Sequence, residues 1–204
     1  MKKIIIDLLR HGDVAGGQRL RGKTDDPLSK LGWQQMNAVI EGKTIPWQKI
    51  ISSDLRRCQD FSIEISKQLS LPIEVSHHFQ EIDFGLWDGQ LLSKLYEGND
   101  SEHLFQFMQS PSSIAPPEGE AYEHFRARIL DEWQRLLIAL NKENIGHCVL
   151  ITHGGVIRCI LSEILGIPEH KLLRLEVPHA CLSRVTQYEH SPTSLSFHQG
   201  ALLR

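Results

Sequence analysis

No stretch of this sequence is apolar for long enough to cross a bilayer, positive charge is in slight deficit, and cysteines are few and scattered. Each absence excludes something. Without a span of about 20 apolar residues, no transmembrane helix is expected. The opening Met1-Lys2-Lys3-Ile4-Ile5-Ile6 starts like a secretory leader, but Asp7 cuts the apolar run and Arg10 follows, so no leader is expected either. A formal net charge of −3, with no Lys/Arg-rich block, gives no field for nucleic acid and no basic helix for a membrane surface. Cys58, Cys148, Cys159 and Cys181 show no C-x-x-C spacing. They read as free, mostly buried thiols of a protein in a reducing cytoplasm. Eleven histidines invite a metal site, yet there is no H-x-x-H or H-E-x-x-H pairing. Neither metal nor cofactor is expected.

What is present is a set of short apolar runs alternating with amphipathic ones. Ile4–Leu9 is too short for a stable helix and opens with β-branched residues, so it reads as a buried strand of a parallel sheet. It stops at Arg10-His11-Gly12. A second such run, Cys148–Thr152, stops at His153-Gly154-Gly155. Two strands that each end in His-Gly are the central feature of the chain.

Between them, residues 13–27 form a loop carrying Arg19, Arg21 and Lys23. Two readings stand side by side: a solvated loop, or a rim that attracts an anion. Ser29 caps a helix to about Glu41, and Lys49–Ser52 is a short strand. Ser53 is expected to cap the next helix, whose buried face is Leu55, Cys58, Ser62, Ile65 and Leu69. Arg56 and Arg57 fall in its first turn, at the positive helix end where a cation is unfavourable, which points to a nearby anion. Leu71–Val75 reads as an edge strand and residues 79–89 as a self-packed loop. Helical pieces broken near Gly98-Asn99-Asp100 make an insertion over about 90–120. A long helix runs from about Glu120 to Leu140, and Gly155 opens another that ends at Gly166. The tail, 172–198, holds three strand-like runs: Leu172–Val177, Leu182–Tyr188 and Ser194–His198. At 204 residues this is one domain, 1–204. The expected fold is α/β, a three-layer α/β/α sandwich on a mostly parallel central sheet.

If the two His-Gly strands are neighbours, His11 and His153 meet at one sheet edge, where open α/β sheets bind ligands. Arg10 and Arg57 add two forked cations suited to a tetrahedral oxyanion, and phosphate is the natural occupant. The chemistry follows from the residue types. Surrounding arginines keep His11 unprotonated, so its ring nitrogen can attack phosphorus while the other nitrogen is held by a carbonyl. His153, carrying a proton, and the backbone N–H of Gly154 would bind phosphoryl oxygens. Glu81, in an aromatic-lined loop beside the dianion, is the first choice for general acid, with Asp83 and Asp88 as competitors. His179 is set aside as a candidate for a substrate rim. His77, His78, His103, His124, His147, His170, His190 and His198 read as surface or packing residues. So do Trp33, Trp47 and Trp133, with Trp87 held apart because its loop also carries Glu81.

The same residues are similar to those of the histidine phosphatase superfamily, which includes the cofactor-dependent phosphoglycerate mutases. The matching segments are Leu9-Arg10-His11-Gly12, Gly22 through Asp26-Pro27-Leu28-Ser29 to Gly32, Ser53 through Cys58, Glu81 through Gly89, and Thr152-His153-Gly154-Gly155. They run in the family's order within 4–165. The resemblance implies a phosphoglycerate mutase-like fold, His11 as the phosphorylated nucleophile and Glu81 as the proton donor. It makes Arg10, Arg57 and His153 the phosphate pocket, and Arg57 rather than Arg56 the pocket arginine. Asp13-Val14-Ala15 and Ala121 depart from the family pattern. The stretch after Glu81 is compact, which favours hydrolysis of a small-molecule phosphate ester over mutase chemistry. Among compact members the segments 83–87 and 117–120 look most like those of bacterial α-ribazole phosphatases of cobalamin nucleotide-loop assembly. General sugar-phosphate and nucleotide phosphatases share these features. A non-catalytic anion-binding module is the alternative of another class.

Overall fold

The computed structural model describes residues 2–189 and 191–200, so His190 lies outside it. In chain order the elements are β1 (Lys3–Arg10), α1 (Lys30–Ile40), β2 (Lys49–Ser52), α2 (Arg56–Leu69) and β3 (Ile73–Val75). They continue with α3 (Leu92–Glu97), α4 (Ser101–Gln109), α5 (Tyr122–Lys142), β4 (His147–Thr152), α6 (Gly154–Leu165), β5 (Leu182–Tyr188) and β6 (Ser194–Gln199). Among the described residues the sheet has six strands in the order β3-β2-β4-β1-β5-β6. β3, β2, β4 and β1 are parallel, and β5 and β6 add antiparallel to the β1 side. No described helix is long and apolar enough to cross a membrane.

Alternation along the central strands explains the three layers. Ile4, Ile6 and Leu8 of β1 and Cys148 and Leu150 of β4 face a core closed by α5 and α6. Leu9, Val149 and Ile151 face the other way, into a core closed by α1 and α2. β4 is buried along its whole length, and its four central residues, Cys148 to Ile151, are apolar, as burial on both faces requires. Asp7 is the exception in β1, and four donors answer it. Arg184 holds it bidentately at 2.7 and 2.9 Å, while Trp47 Nε1 (2.7 Å) and His147 Nε2 (2.9 Å) reach the same oxygen.

Two expectations change. Ser29 does cap α1, its Oγ accepting from the Gly32 N–H. Ser53 does not cap α2, whose N-cap residue is Leu55. The Asp25 carboxylate accepts from the Arg56 N–H at 2.6 Å instead. Ser53 Oγ lies 2.8 Å from His153 Nε2, so the serine that looked like a cap belongs to the site. Leu172–Val177 is no strand: a 3₁₀ turn, Glu169–Arg174, follows Pro168, and irregular chain continues to the start of β5. Pro168 sets the turn, and β1 is already paired on both sides, by β4 and β5. Its carbonyls serve other groups: Leu175 accepts from Arg158 and Val177 from Arg10.

Candidate active site

β1 and β4 are hydrogen-bonded neighbours with Arg10 opposite Thr152, and the His11 N–H donates to the Thr152 carbonyl at 2.9 Å. Register therefore brings both His-Gly junctions to one end of the sheet, with the two imidazole centroids 5.3 Å apart. The turn after His11 lies against α1 so closely that a Cβ on Gly12 would stand 2.3 Å from the Gly32 carbonyl. Only glycine fits there, and the contact fixes where the imidazole begins.

His11 Nδ1 lies 2.8 Å from the Gly12 carbonyl. A carbonyl only accepts, so Nδ1 carries the proton and Nε2 keeps its lone pair. Burial, then the charges of Arg10 and Arg57, push the ring well below the usual histidine range, so it is neutral. His153 is fully buried and also neutral, through burial first and then Arg57, His11 and Arg10. Arg57 Nε donates to His153 Nδ1 at 3.2 Å, which leaves the proton on Nε2, facing Ser53 Oγ. Both His153 nitrogens are thus engaged by protein groups. A proton-carrying His153 turned to phosphate, as expected above, requires Arg57 or Ser53 to release it.

The two expected arginines differ. Arg57 is buried, and four of its N–H groups are committed: one to His153, one to the Thr24 carbonyl (2.8 Å), and two to the Arg21 and Gly22 carbonyls. It holds the 21–24 loop against His153. Arg10 gives one Nη to the Val177 carbonyl at 2.6 Å, while its buried Nε has no partner. Burial lowers it to about 10, partly offset by Glu81. A third guanidinium, Arg158, approaches the same spot: a Cβ on Gly154 would meet Arg158 Nη1 at 3.1 Å and Arg10 Nε at 3.3 Å. Two half-satisfied guanidiniums converging over the Gly154 backbone form a cradle for an anion.

Glu81 Oε2 accepts from the Gly155 N–H (2.9 Å) and Oε1 from the Ile82 N–H (3.1 Å). Its loop is held by Arg128, which donates to the carbonyls of His78, Gln80 and Glu81 while pairing with Glu120. The competitors are elsewhere. Asp88 accepts from the Gly22, Lys23 and Thr24 N–H groups, and Asp83 pairs with Lys23 and the Gly85 N–H. Of the three carboxylates, only Glu81 lines the cavity above His11.

That cavity has a volume of about 510 Å³. Arg10, His11, Glu81, Gly154 and Arg158 form its floor, and the loop 13–21 and the helical insertion close it. The loop cations are partly engaged by the loop itself. Arg19 is bound to the Gly16 and Gly89 carbonyls, and Arg21 to Asp26 and the Ala15 carbonyl. His179 does reach the site: its ring centroid lies 5.5 Å from that of His11, and burial lowers it to about 4. Trp87 is fully buried, edge-on to His103 and Phe107, and is a packing residue. The four cysteines are buried and free, and Cys58 Sγ lies 3.7 Å from His153 Nε2.

Sequence reasoning missed Arg158 and Arg128. Arg158 sits one helical turn beyond Gly154 on α6, so the four-residue spacing from a proposed phosphate ligand was a usable signal. Arg128 is one of several charged residues of α5, and nothing local distinguishes it there.

Residues 6–199 match the sequence profile of the histidine phosphatase superfamily (branch 1). Over 191 residues the chain is 28% identical to the probable phosphoglycerate mutase GpmB of Yersinia pestis (strain Pestoides F), covering 91% of this chain and 85% of that one. Among solved structures it is similar to a mycobacterial glucosyl-3-phosphoglycerate phosphatase (TM-score 0.80, 23% identity, 96% and 98% of the two chains). It is also similar to the α-ribazole phosphatase of Shigella flexneri (TM-score 0.78, 19% identity, 94% of each chain). At these identities the structures share the fold, an α/β sandwich on a mostly parallel sheet.

Proposed function

Because the chain belongs to the histidine phosphatase superfamily (branch 1), we propose that it hydrolyses a small phosphate monoester through a phosphohistidine on His11. One observation carries the reading: His11 Nδ1–H is fixed by the Gly12 carbonyl, so a neutral ring presents Nε2 to the cationic cavity. In the first step the Nε2 lone pair bonds to phosphorus, the ester P–O bond breaks, and Glu81 gives its proton to the leaving alkoxide. The Gly12 carbonyl stabilises the charge that develops on the ring. Arg10, Arg158 and the Gly154 N–H face the phosphoryl oxygens from the cavity floor, and Arg57 and His153 join them once His153 is released from Ser53 or Arg57. In the second step Glu81 takes a proton from water, the oxygen bonds to phosphorus, the P–N bond breaks and inorganic phosphate leaves.

The finer reading is α-ribazole 5′-phosphate as substrate, in a reducing cytoplasm. It is supported by the compact 83–87 and 117–120 segments and by the similarity to an α-ribazole phosphatase; a broad sugar-phosphate or nucleotide phosphatase is the alternative. The name of the Yersinia relative favours phosphoglycerate mutase as a second reading. Incubation with an aryl phosphate, with His11→Ala as control, tests the class. Release that depends on His11, with an acid-labile phosphoprotein trapped on quenching, is expected. A folded protein that binds phosphate but shows no such release is an anion-binding module. Isomerisation of 3-phosphoglycerate faster than hydrolysis of any ester would make it a mutase.

A further inference from the structure

The cavity is cationic only at its floor. Away from His11 its wall is built by Ile82, Phe84, Phe107, Met108, Phe125 and Leu172. At its loop edge Arg19 and Arg21 each hold Nε and one Nη on loop carbonyls and Asp26, and the exposed Gln18 is the neighbouring polar lining residue. The Tyr122 hydroxyl, another polar group on the wall, is turned to Cys159. A polyol placed against the apolar residues would lose water from its hydroxyls and find partners only at the loop edge, whereas an apolar or aromatic group would bury its surface without that loss. A concave apolar wall with a few convergent polar groups at one end is how small-molecule sites combine affinity with orientation.

Resting on the phosphatase reading, we infer that the preferred ester carries an apolar, aromatic-sized body on the alcohol side and is selected by this wall. The wall draws on four segments: the loop 79–89, α4, α5 and the 3₁₀ turn 169–174. Phe107 and Met108 come from α4 in the insertion, and Leu172 comes from the 3₁₀ turn that replaces the expected strand. Met108 and Leu173 are half-exposed lining residues, so both accept an uncharged polar substitution without opening the core.

The test compares 2-phenylethyl phosphate with glycerol 3-phosphate, two alkyl esters whose leaving alcohols differ little in acidity, so the chemical step is matched. The wild-type kcat/KM is expected to favour the phenylethyl ester by about tenfold or more, the scale on which apolar pockets discriminate. Met108→Gln and Leu173→Gln should each shrink that ratio, mainly through KM of the phenylethyl ester, and Met108→Leu should restore it. Circular dichroism confirms that each variant is folded. Equal or faster His11-dependent turnover of glycerol 3-phosphate, or a ratio unmoved in both Gln variants, overturns the inference while leaving the phosphatase reading intact. Absence of His11-dependent turnover with either ester overturns the phosphatase reading itself.

Discussion

At Gly155 a methyl group would stand 2.1 Å from Glu81 Oε1 and 3.0 Å from its carboxyl carbon. The obstructed atoms are the far end of a flexible side chain, so Gly155→Ala should fold normally and displace the carboxylate instead. Loss of a placed general acid costs about 10²–10⁴-fold. We therefore expect kcat to fall by about 10² or more with the melting temperature nearly unchanged. Unaltered kcat would mean that Glu81 transfers no proton. At this scale the sequence was legible where a residue's chemistry follows from its junction: His11 and His153 needed only a strand end and a glycine. It was illegible where one side chain chooses between two partners. Ser53 has the form of a helix cap, but His153 takes its hydroxyl and Asp25 does the capping. Glu81, Asp83 and Asp88 share one loop, and only the folded positions separate the acid from two anchors.

β1 could be read from sequence despite the Asp7 inside it, because the surrounding aliphatics outweigh one polar residue. What Asp7 binds could not be, since its partners come from β4, β5 and the turn before β2. Burial alone would raise this carboxyl, but hydrogen bonds from Arg184, His147 and Trp47 hold it below the ordinary value of 3.8. A depressed carboxyl stabilises the fold fully above its unfolded value and loses that contribution as pH falls through the folded one. This element should therefore weaken only below about pH 4. Asp7→Ala leaves Arg184 and His147 facing a void. Its expected cost is about 3 kcal/mol, the low end for a broken buried pair because Arg184 still reaches water. Urea unfolding at pH 7 checks this, and a loss under 1 kcal/mol would show the cluster to be dispensable. The tail shows the converse limit. Leu172–Val177 has strand-like composition, but a strand needs a partner strand beside it, and here Arg158 and Arg10 take the carbonyls instead.

In the whole molecule, His11, His153 and His179 are all held neutral by burial and by arginines. Their folded values lie below the ordinary 6.5, so the unfolded chain binds more protons. Stability is full above pH 6.5 and should decline as pH falls from there, continuing to about 4 for His179. The same crowding of Arg10, Arg57 and Arg158 makes an anion a stabilising ligand. Inorganic phosphate or vanadate at 100 times its dissociation constant should add about 2.7 kcal/mol to stability at pH 7. Arg10→Ala should abolish most of the accompanying rise in melting temperature. A rise of equal size in that variant would place the anion elsewhere.

The reacting groups and the wall that meets the leaving alcohol come from different parts of the chain. His11 and the phosphate-facing groups ride on β1, the end of β4 and α6, and Glu81 on the loop after β3; part of the wall rides on α4, in the insertion over about 90–120, which carries no reacting group. A lineage with this architecture can therefore exchange its roof without retuning its chemistry. Substrate choice can drift from relative to relative while the phosphoryl-handling floor is inherited unchanged.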